Sequence, residues 1–99
     1  MHVLKPLIEN SFEKVGIKGK IFPTKELIGE DANYVLIETE SGHETTIIEH
    51  ESIFTYYILD GSGYFEINDE REACVAGDLV VIPKGTKFTY KGRLKMLLI

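Results

Sequence analysis

Hydrophobic residues are concentrated in short runs along this chain, and these runs are rich in β-branched and aromatic side chains. Such runs, bounded by turn-forming residues, are typical of strands. Strands are predicted at Asn33–Glu40, Glu44–His50, Ile53–Leu59, Gly63–Asn68, Leu79–Pro83, Lys87–Tyr90 and Leu94–Ile99. Helix signals are few: single helical turns are predicted around Pro6–Glu13 and Lys25–Ile28. The pattern therefore favours an all-β chain.

Turn-forming residues separate these runs at short intervals. Turns are predicted at Ser41–His43, Asp60–Gly63, Asn68–Glu70, Ala76–Asp78, Pro83–Gly85 and Lys91–Gly92. Frequent turns between short strands favour an antiparallel sandwich or barrel. The length of 99 residues suffices for one core and is too short for two, so residues 1–99 are predicted to form a single domain. Residues 1–20 are predicted to form an arm that adds a strand at the sheet edge.

Glycines and one proline also keep a fixed spacing in two segments, 42–61 and 77–92. The first is Gly42, five residues, Ile48-Glu49-His50, three residues, Phe54, six residues and Gly61. The second is Gly77, five residues, Pro83-Lys84-Gly85, two residues, Phe88, three residues and Gly92. This spacing resembles the two motifs of the cupin superfamily, G-x5-H-x-H-x3-4-E-x6-G and G-x5-P-x-G-x2-H-x3-N. The resemblance implies an antiparallel double-stranded β-helix, or jelly-roll barrel.

The resemblance also implies four metal-ligand positions, of which only His50 keeps the residue of the family. Ile48, Phe54 and Phe88 stand at the other three, and Gly92 replaces the asparagine. A divalent transition metal needs three or four nitrogen, oxygen or sulfur ligands. The sequence therefore predicts no metal centre and no other cofactor.

The side chains predicted to point into the barrel follow from strand alternation in the family register. They are Thr46, Ile48, His50, Phe54, Tyr56, Ile58, Phe88 and Tyr90. Two interpretations remain open. Either the rings fill the barrel and His50 is a core histidine, or an apolar pocket remains with His50 and the two tyrosines as its polar groups. The candidate ligand-binding residues are His50, Tyr56, Tyr90, Ile48, Phe54 and Phe88. His43, in a turn beside Gly42, is predicted to face solvent.

Two classes of function are compatible with this pattern. The first is a metal-independent cupin that binds a small molecule or regulates, with the ligand unassigned. The second is an enzyme: a cupin-type isomerase, epimerase or lyase with His50 as acid or base, or a metal-dependent cupin whose site has been rebuilt. A second titratable group facing His50 would favour the enzyme.

Charge and composition limit the partners. Net charge is +2 over residues 1–29, −11 over 30–72 and +4 over 73–99, and these blocks are predicted to neutralise one another on adjacent strands. Without a basic surplus, a nucleic-acid partner is disfavoured. The absence of a long apolar run disfavours a membrane, and the single Cys74 fits a reducing, cytoplasmic location. The apolar final strand, Lys95–Ile99, predicts a homodimer.

Overall fold

The computed structural model describes residues 7–14, 17–22, 34–43, 45–48 and 51–99. The described residues form seven strands: β1 Leu7–Lys14, β2 Ile17–Ile21, β3 Val35–Thr39, β4 Phe54–Ile67, β5 Glu70–Val75, β6 Leu79–Ile82 and β7 Phe88–Leu98. The sheet order is β1-β2-β3-β7-β4-β5, with β6 paired to β4, and every pairing is antiparallel. This is the predicted all-β jelly-roll barrel. A helix able to cross a membrane is not found among these residues.

The longest pairing, that of β4 with β7, lies inside the sheet rather than at its edge. β4 has 14 residues and β7 has 11, and they pair from Tyr56↔Leu98 to Ile67↔Phe88. β6 pairs with the first half of β4 and β5 with the second half. The turns predicted at Asp60–Gly63 and Lys91–Gly92 are therefore wrong, because both segments lie inside continuous strands.

The glycines in these two segments bend the strands without ending them. The β4–β7 register shifts between Ile58 and Asp60, which marks a bulge. Gly61 has φ +91°, and a Cβ there would lie 2.0 Å from the backbone oxygen of Arg93. Only glycine permits this conformation and this close approach of two backbones. Glycine is favoured both in turns and in β-bulges, so the sequence alone could not distinguish a turn at Asp60–Gly63 from the bulge that the structure has there.

Other turns are as predicted. Asn68 and Asp69 have φ of 48° and 69°, the left-handed conformation of a tight two-residue hairpin turn. This turn joins β4 to β5, a charged strand for which the sequence pattern gave no signal. At the turn predicted at Pro83–Gly85, the Thr86 N–H donates to the Pro83 oxygen at 3.3 Å, and Gly85 has φ +77°. Gly85 thus occupies the third position of a type II turn.

The N-terminal arm differs from its prediction in one respect. β1 pairs with β2, and β2 pairs with β3, so the arm adds two strands at the sheet edge. The helical turn predicted at Pro6–Glu13 is wrong, because edge pairing outweighs a weak local preference for helix. The one predicted at Lys25–Ile28 lies outside the described residues.

The segment predicted as a strand at Glu44–His50 is not regular where it is described. Among residues 45–48 the only ladder contact is an isolated bridge between Ile47 and Phe88. Ile47 packs against the core while Ile48 is 58% exposed. Thr46 is also exposed. The predicted inward direction of Thr46 and Ile48 is therefore wrong, because the alternation rule requires a continuous strand.

The core lies on one face of the paired strands. Cross-strand partners such as Ile37↔Met96 and Ile58↔Met96 are both buried. The buried hydrophobic residues are Ile17, Ile37, Tyr56, Ile58, Phe65, Cys74, Ile82, Phe88, Tyr90, Leu94 and Met96. Tyr56, Ile58, Phe88 and Tyr90 point inward as predicted.

The acidic middle of the chain lies beside the basic C-terminal part. Lys95 is opposite Glu38 in the β3–β7 pairing, with 3.9 Å between their charged groups. Arg93 lies 3.8 Å from Glu40, and Lys87 bonds Asp69 at 2.9 Å. These contacts confirm that adjacent strands partly neutralise the charge blocks. As exposed pairs they contribute little to stability.

Truncating the Phe88 ring should test how tightly the interior is packed. Phe88 is 1% exposed, so Phe88→Ala should lower the free energy of unfolding by about 3–5 kcal/mol through lost burial and a new cavity. Tyr34→Ala, which removes a ring that is 38% exposed, is the control and should cost much less. Urea denaturation measures both. A loss below about 1 kcal/mol for Phe88→Ala would mean that the ring borders an open space.

The outward face of the sheet carries a row of apolar side chains across four strands. Leu36 is opposite Leu97, Leu97 is opposite Tyr57, and Tyr57 is opposite Leu79. Tyr57 and Leu79 are 39% and 57% exposed. Leu36 and Leu97 are half-buried, and neighbouring apolar side chains that stay partly exposed are usual at protein interfaces. We propose that this outer row is the contact surface of the predicted homodimer.

A charge placed in the outer row should separate such a dimer. Leu79→Glu puts a carboxylate into the contact, while the residue is exposed enough in one chain to leave the fold intact. Ala73→Glu, on the exposed side of β5, is the matched control. Light scattering should give twice the 11.2 kDa chain mass for the natural protein and the control, and the single mass for Leu79→Glu. A natural protein that is monomeric at micromolar concentration would contradict the proposal.

Candidate functional site

Five aromatic rings meet in the interior, at the junction of β4 and β7. Tyr56 lies 5.3 Å from Phe65, 5.7 Å from Tyr90 and 5.9 Å from Phe88 between ring centroids. Phe54 lies 5.7 Å from Phe88. These separations and their tilted or edge-on geometries are those of favourable aromatic pairs. The rings are therefore packed against one another.

His43 joins this cluster from the loop that follows β3. The backbone N–H of His43 donates to the backbone oxygen of Tyr90 at 2.8 Å, and the two rings meet edge to face with centroids 5.5 Å apart. His43 is half-buried. His43 is therefore less exposed than predicted, because a bridge between Gly42 and Lys91 attaches this loop to β7.

Gly42 makes this attachment possible. Its φ is +110°, and a Cβ there would lie 2.3 Å from the Tyr90 oxygen. Its N–H donates to Thr39 Oγ1 at 2.7 Å, which closes the loop onto the end of β3. Glycine at this position lets the chain turn and brings the next residue, His43, against Tyr90.

A hydrogen bond from the His43 ring to the backbone defines the tautomer of the ring. Nδ1 lies 2.5 Å from the backbone oxygen of Thr45. A carbonyl oxygen can only accept, so Nδ1 carries the proton. Nε2 then holds the lone pair of the neutral ring, and it is the nitrogen that can take up a proton.

The two tyrosines of the cluster keep their protons at neutral pH. Burial raises the pKa of Tyr90 to about 12. The pKa of Tyr56 is raised further, first by burial and then by the neighbouring Tyr90. Both phenols can therefore donate a hydrogen bond, and neither can act as a base near pH 7.

His50, the histidine that the sequence favoured, lies outside the described residues, so its role stays a prediction. The ligand contacts predicted for Ile48, Phe54 and Phe88 also stay predictions. Of these three residues, Phe88 is buried and Phe54 is half-buried. At the ligand positions of the family motif, Ile48, Phe54 and Phe88 carry only hydrocarbon. These positions do not fit a metal centre of the family type.

Cys74 is buried on β5 and offers no alternative centre. Its pKa is raised by burial and then by Asp78. A thiol in this state stays protonated at neutral pH and is a poor nucleophile.

Solved structures have the same architecture. The cupin domain of Cnp3 from Schizosaccharomyces pombe has a TM-score of 0.69 at 16% identity, and the match covers 90% of this chain and 64% of the Cnp3 chain. Together with the motif spacing and the barrel, this decides the architecture. The chain has the cupin fold. No protein-family model and no curated protein matches it.

Pac13, a nucleoside dehydratase with a β-barrel, shares more sequence with this cupin. Identity is 30% and the TM-score 0.77, over 95% of this chain and 78% of Pac13. Streptomyces Pac13 has also been solved with uridine in three variants, one with a histidine replaced by glutamine and two with a tyrosine replaced by phenylalanine. Those three residues are 13 and 34 positions apart in Pac13. His43, Tyr56 and Tyr90 have the same separations here.

Sequence reasoning found Tyr56 and Tyr90 and missed His43. The tyrosines follow from strand alternation with the motif phenylalanines, Phe54 and Phe88. His43 belongs to neither motif pattern, and its position depends on a contact with β7, far along the chain. The only local signal was its place directly after Gly42, a residue of the motif.

Stability at alkaline pH should report the buried Tyr90 phenol. Its folded pKa of about 12 lies above the ordinary value of 10.0, so the unfolded chain loses the proton first as pH rises. The contribution of the protonated Tyr90 phenol to the free energy of unfolding is complete below about pH 10. It is lost between about pH 10 and 12, where the free energy of unfolding should fall by up to about 1.4 kcal/mol per pH unit. Tyr90→Phe has no proton to lose and should show a shallower decline in urea denaturation across this range.

Tyr57→Phe is the control, because Tyr57 lies on the outward face. Its decline should match that of the natural protein. Parallel declines for Tyr90→Phe and the natural protein would show that the Tyr90 phenol is not desolvated.

Proposed function

We propose that this cupin is a metal-independent lyase that binds a nucleoside and removes water from it. The observation that carries the proposal is the contact of His43 with Tyr90 and of Tyr90 with Tyr56, at 5.5 and 5.7 Å between ring centroids. The three residues have the spacing of the histidine and tyrosines replaced in the Pac13 structures with uridine. The likeness to a nucleoside dehydratase supports both the ligand class and the reaction.

Loss of water from a sugar needs a base for a C–H proton and an acid for the departing hydroxyl. The lone pair on His43 Nε2 can take the proton, because Nδ1 is committed to Thr45. As the carbon–carbon double bond forms and the carbon–oxygen bond breaks, the imidazolium can return that proton to the leaving oxygen. One water is released and His43 is regenerated neutral.

The tyrosines suit the complementary role. Their raised pKa values keep both as O–H donors, and such donors stabilise negative charge that develops on a substrate oxygen. The surrounding rings of Phe54, Phe65 and Phe88 exclude water and strengthen these interactions. A planar base such as uracil can also pack on aromatic faces.

Access is expected from the His43 side. His43 is half-buried, whereas Tyr56 and Tyr90 are each 2% exposed. A ligand approaching from this side meets the imidazole before the phenols. Binding without chemistry is the simpler form of the proposal, and it uses the same three residues.

Uridine binding and water loss test the two parts separately. Calorimetric titration should show saturable uridine binding, with adenosine as the comparison ligand. Tyr56→Phe and Tyr90→Phe should each weaken it by about 2- to 10-fold, as expected for one lost hydrogen bond. Tyr64→Phe, on the exposed hairpin, is the control and should bind normally. Failure of the natural protein to bind uridine or any other nucleoside at millimolar concentration would contradict the proposal.

For the reaction, mass spectrometry should detect products lighter by one water. The substrates are uridine derivatives whose sugar carries an aldehyde or ketone, since a carbonyl acidifies the neighbouring C–H. His43→Gln should lower the rate by about 100-fold or more while binding persists. His50→Gln is the decisive comparison. If His50→Gln abolishes the reaction and His43→Gln does not, the role of acid or base belongs to His50.

A further inference from the structure

Three consecutive residues of β7 hydrogen-bond the backbone of His43, whose loop is bridged directly to this strand. Tyr90 accepts from the His43 N–H at 2.8 Å. Lys91 Nζ donates to the His43 oxygen at 2.6 Å. Thr89 Oγ1 lies 3.3 Å from the His43 oxygen and 3.3 Å from the Thr45 oxygen. The backbone of the loop is thus held by polar groups more than forty positions away in sequence.

The donors and acceptors of this arrangement can be assigned. The Thr89 hydroxyl has one proton and two candidate acceptors. Because Lys91 already supplies the His43 oxygen, the Thr89 proton is available to the Thr45 oxygen. That oxygen then receives two donors, the Thr89 hydroxyl and His43 Nδ1–H, one for each of its lone pairs. By occupying the His43 oxygen, Lys91 therefore affects which donors reach the Thr45 oxygen, the acceptor of the His43 ring.

We propose that Lys91 is a positioning residue that fixes the tautomer of His43. By supplying the His43 oxygen, it keeps the Thr45 oxygen fixed against Nδ1, so that Nε2 carries the lone pair. Without this ammonium, the Thr89 proton is drawn to the His43 oxygen and the loop loosens. The ring then populates the Nε2–H form that free histidine favours. The catalytic meaning of this control rests on the proposed function, but the tautomer itself does not.

The chemistry at the Lys91 position suits this role. Its side chain is half-buried, so the stem packs along the barrel while the ammonium reaches the loop. Its bond of 2.6 Å has the length of a charge-assisted hydrogen bond, which is stronger than a neutral one. Lys95, four residues further along β7, lies instead beside Glu38. It provides a matched lysine without contact to the loop.

The tautomer is measured by ¹H–¹⁵N correlation spectra of protein labelled at histidine nitrogens, without ligand. His43→Gln assigns the signals, since His2 and His50 also contribute. Toward the neutral-ring limit at high pH, the natural protein should show the proton on Nδ1. Lys91→Met should shift the ratio toward Nε2–H by about tenfold, the effect of one ordinary hydrogen bond. Lys95→Met and Lys91→Arg should keep the natural ratio.

The outcomes separate this inference from the proposed function. An unchanged tautomer in folded Lys91→Met would overturn it. Should that variant fail to fold, Lys91→Gln replaces it. This variant keeps a polar side chain but removes the ammonium and shortens its reach, so the same shift toward Nε2–H is expected and an unchanged tautomer would again overturn the inference. If uridine is also bound and dehydrated, Lys91→Met should lower the turnover rate while uridine affinity stays near that of the natural protein. If no nucleoside binds, the tautomer result still stands.

Discussion

The pairing of β4 with β7 is the constraint on which the remaining structure depends. It opposes Tyr56 to Leu98 and Phe65 to Tyr90, so the aromatic side chains of both strands share one interior. The same β7 strand binds the loop that carries His43 through the backbone of Tyr90 and the side chain of Lys91. Core and candidate site are therefore parts of one set of contacts, and a change in the β4–β7 register would displace both.

Much of the fold could be predicted because local chemistry required it. Alternation placed Tyr56, Ile58, Phe88 and Tyr90 inside, and the motif glycines marked positions of positive φ. What could not be predicted depends on partners distant in sequence. Gly61 bends a strand against Arg93 where a turn was expected. Nothing in the local sequence distinguishes these outcomes.

The two histidines show the same limit for the site. The inference for His50 used strand parity, which does not apply to residues 45–48, where the only ladder contact is an isolated bridge, so the direction of His50 stays a prediction. His43 lies against Tyr90 because Gly42 approaches β7 closely enough to exclude any side chain. A histidine beside a glycine in a predicted turn is usually exposed, so only the long-range contact reveals its position. The tyrosines lie on regular strands, so strand alternation in the family register was enough to find them.

The phenylalanines at two ligand positions of the family motif also shape the surroundings of the tyrosines. Phe88 packs against Tyr56 and Phe65, and Phe54 packs against Phe88. These rings contribute to the desolvation that raises the pKa of both buried tyrosines. A metal centre polarises oxygen with a buried positive charge, whereas neutral phenols in a dry interior can do so by hydrogen bonding without the cost of burying a charge. The hydrocarbon side chains at these positions and the protonated state of the tyrosines are thus linked by the same apolar packing.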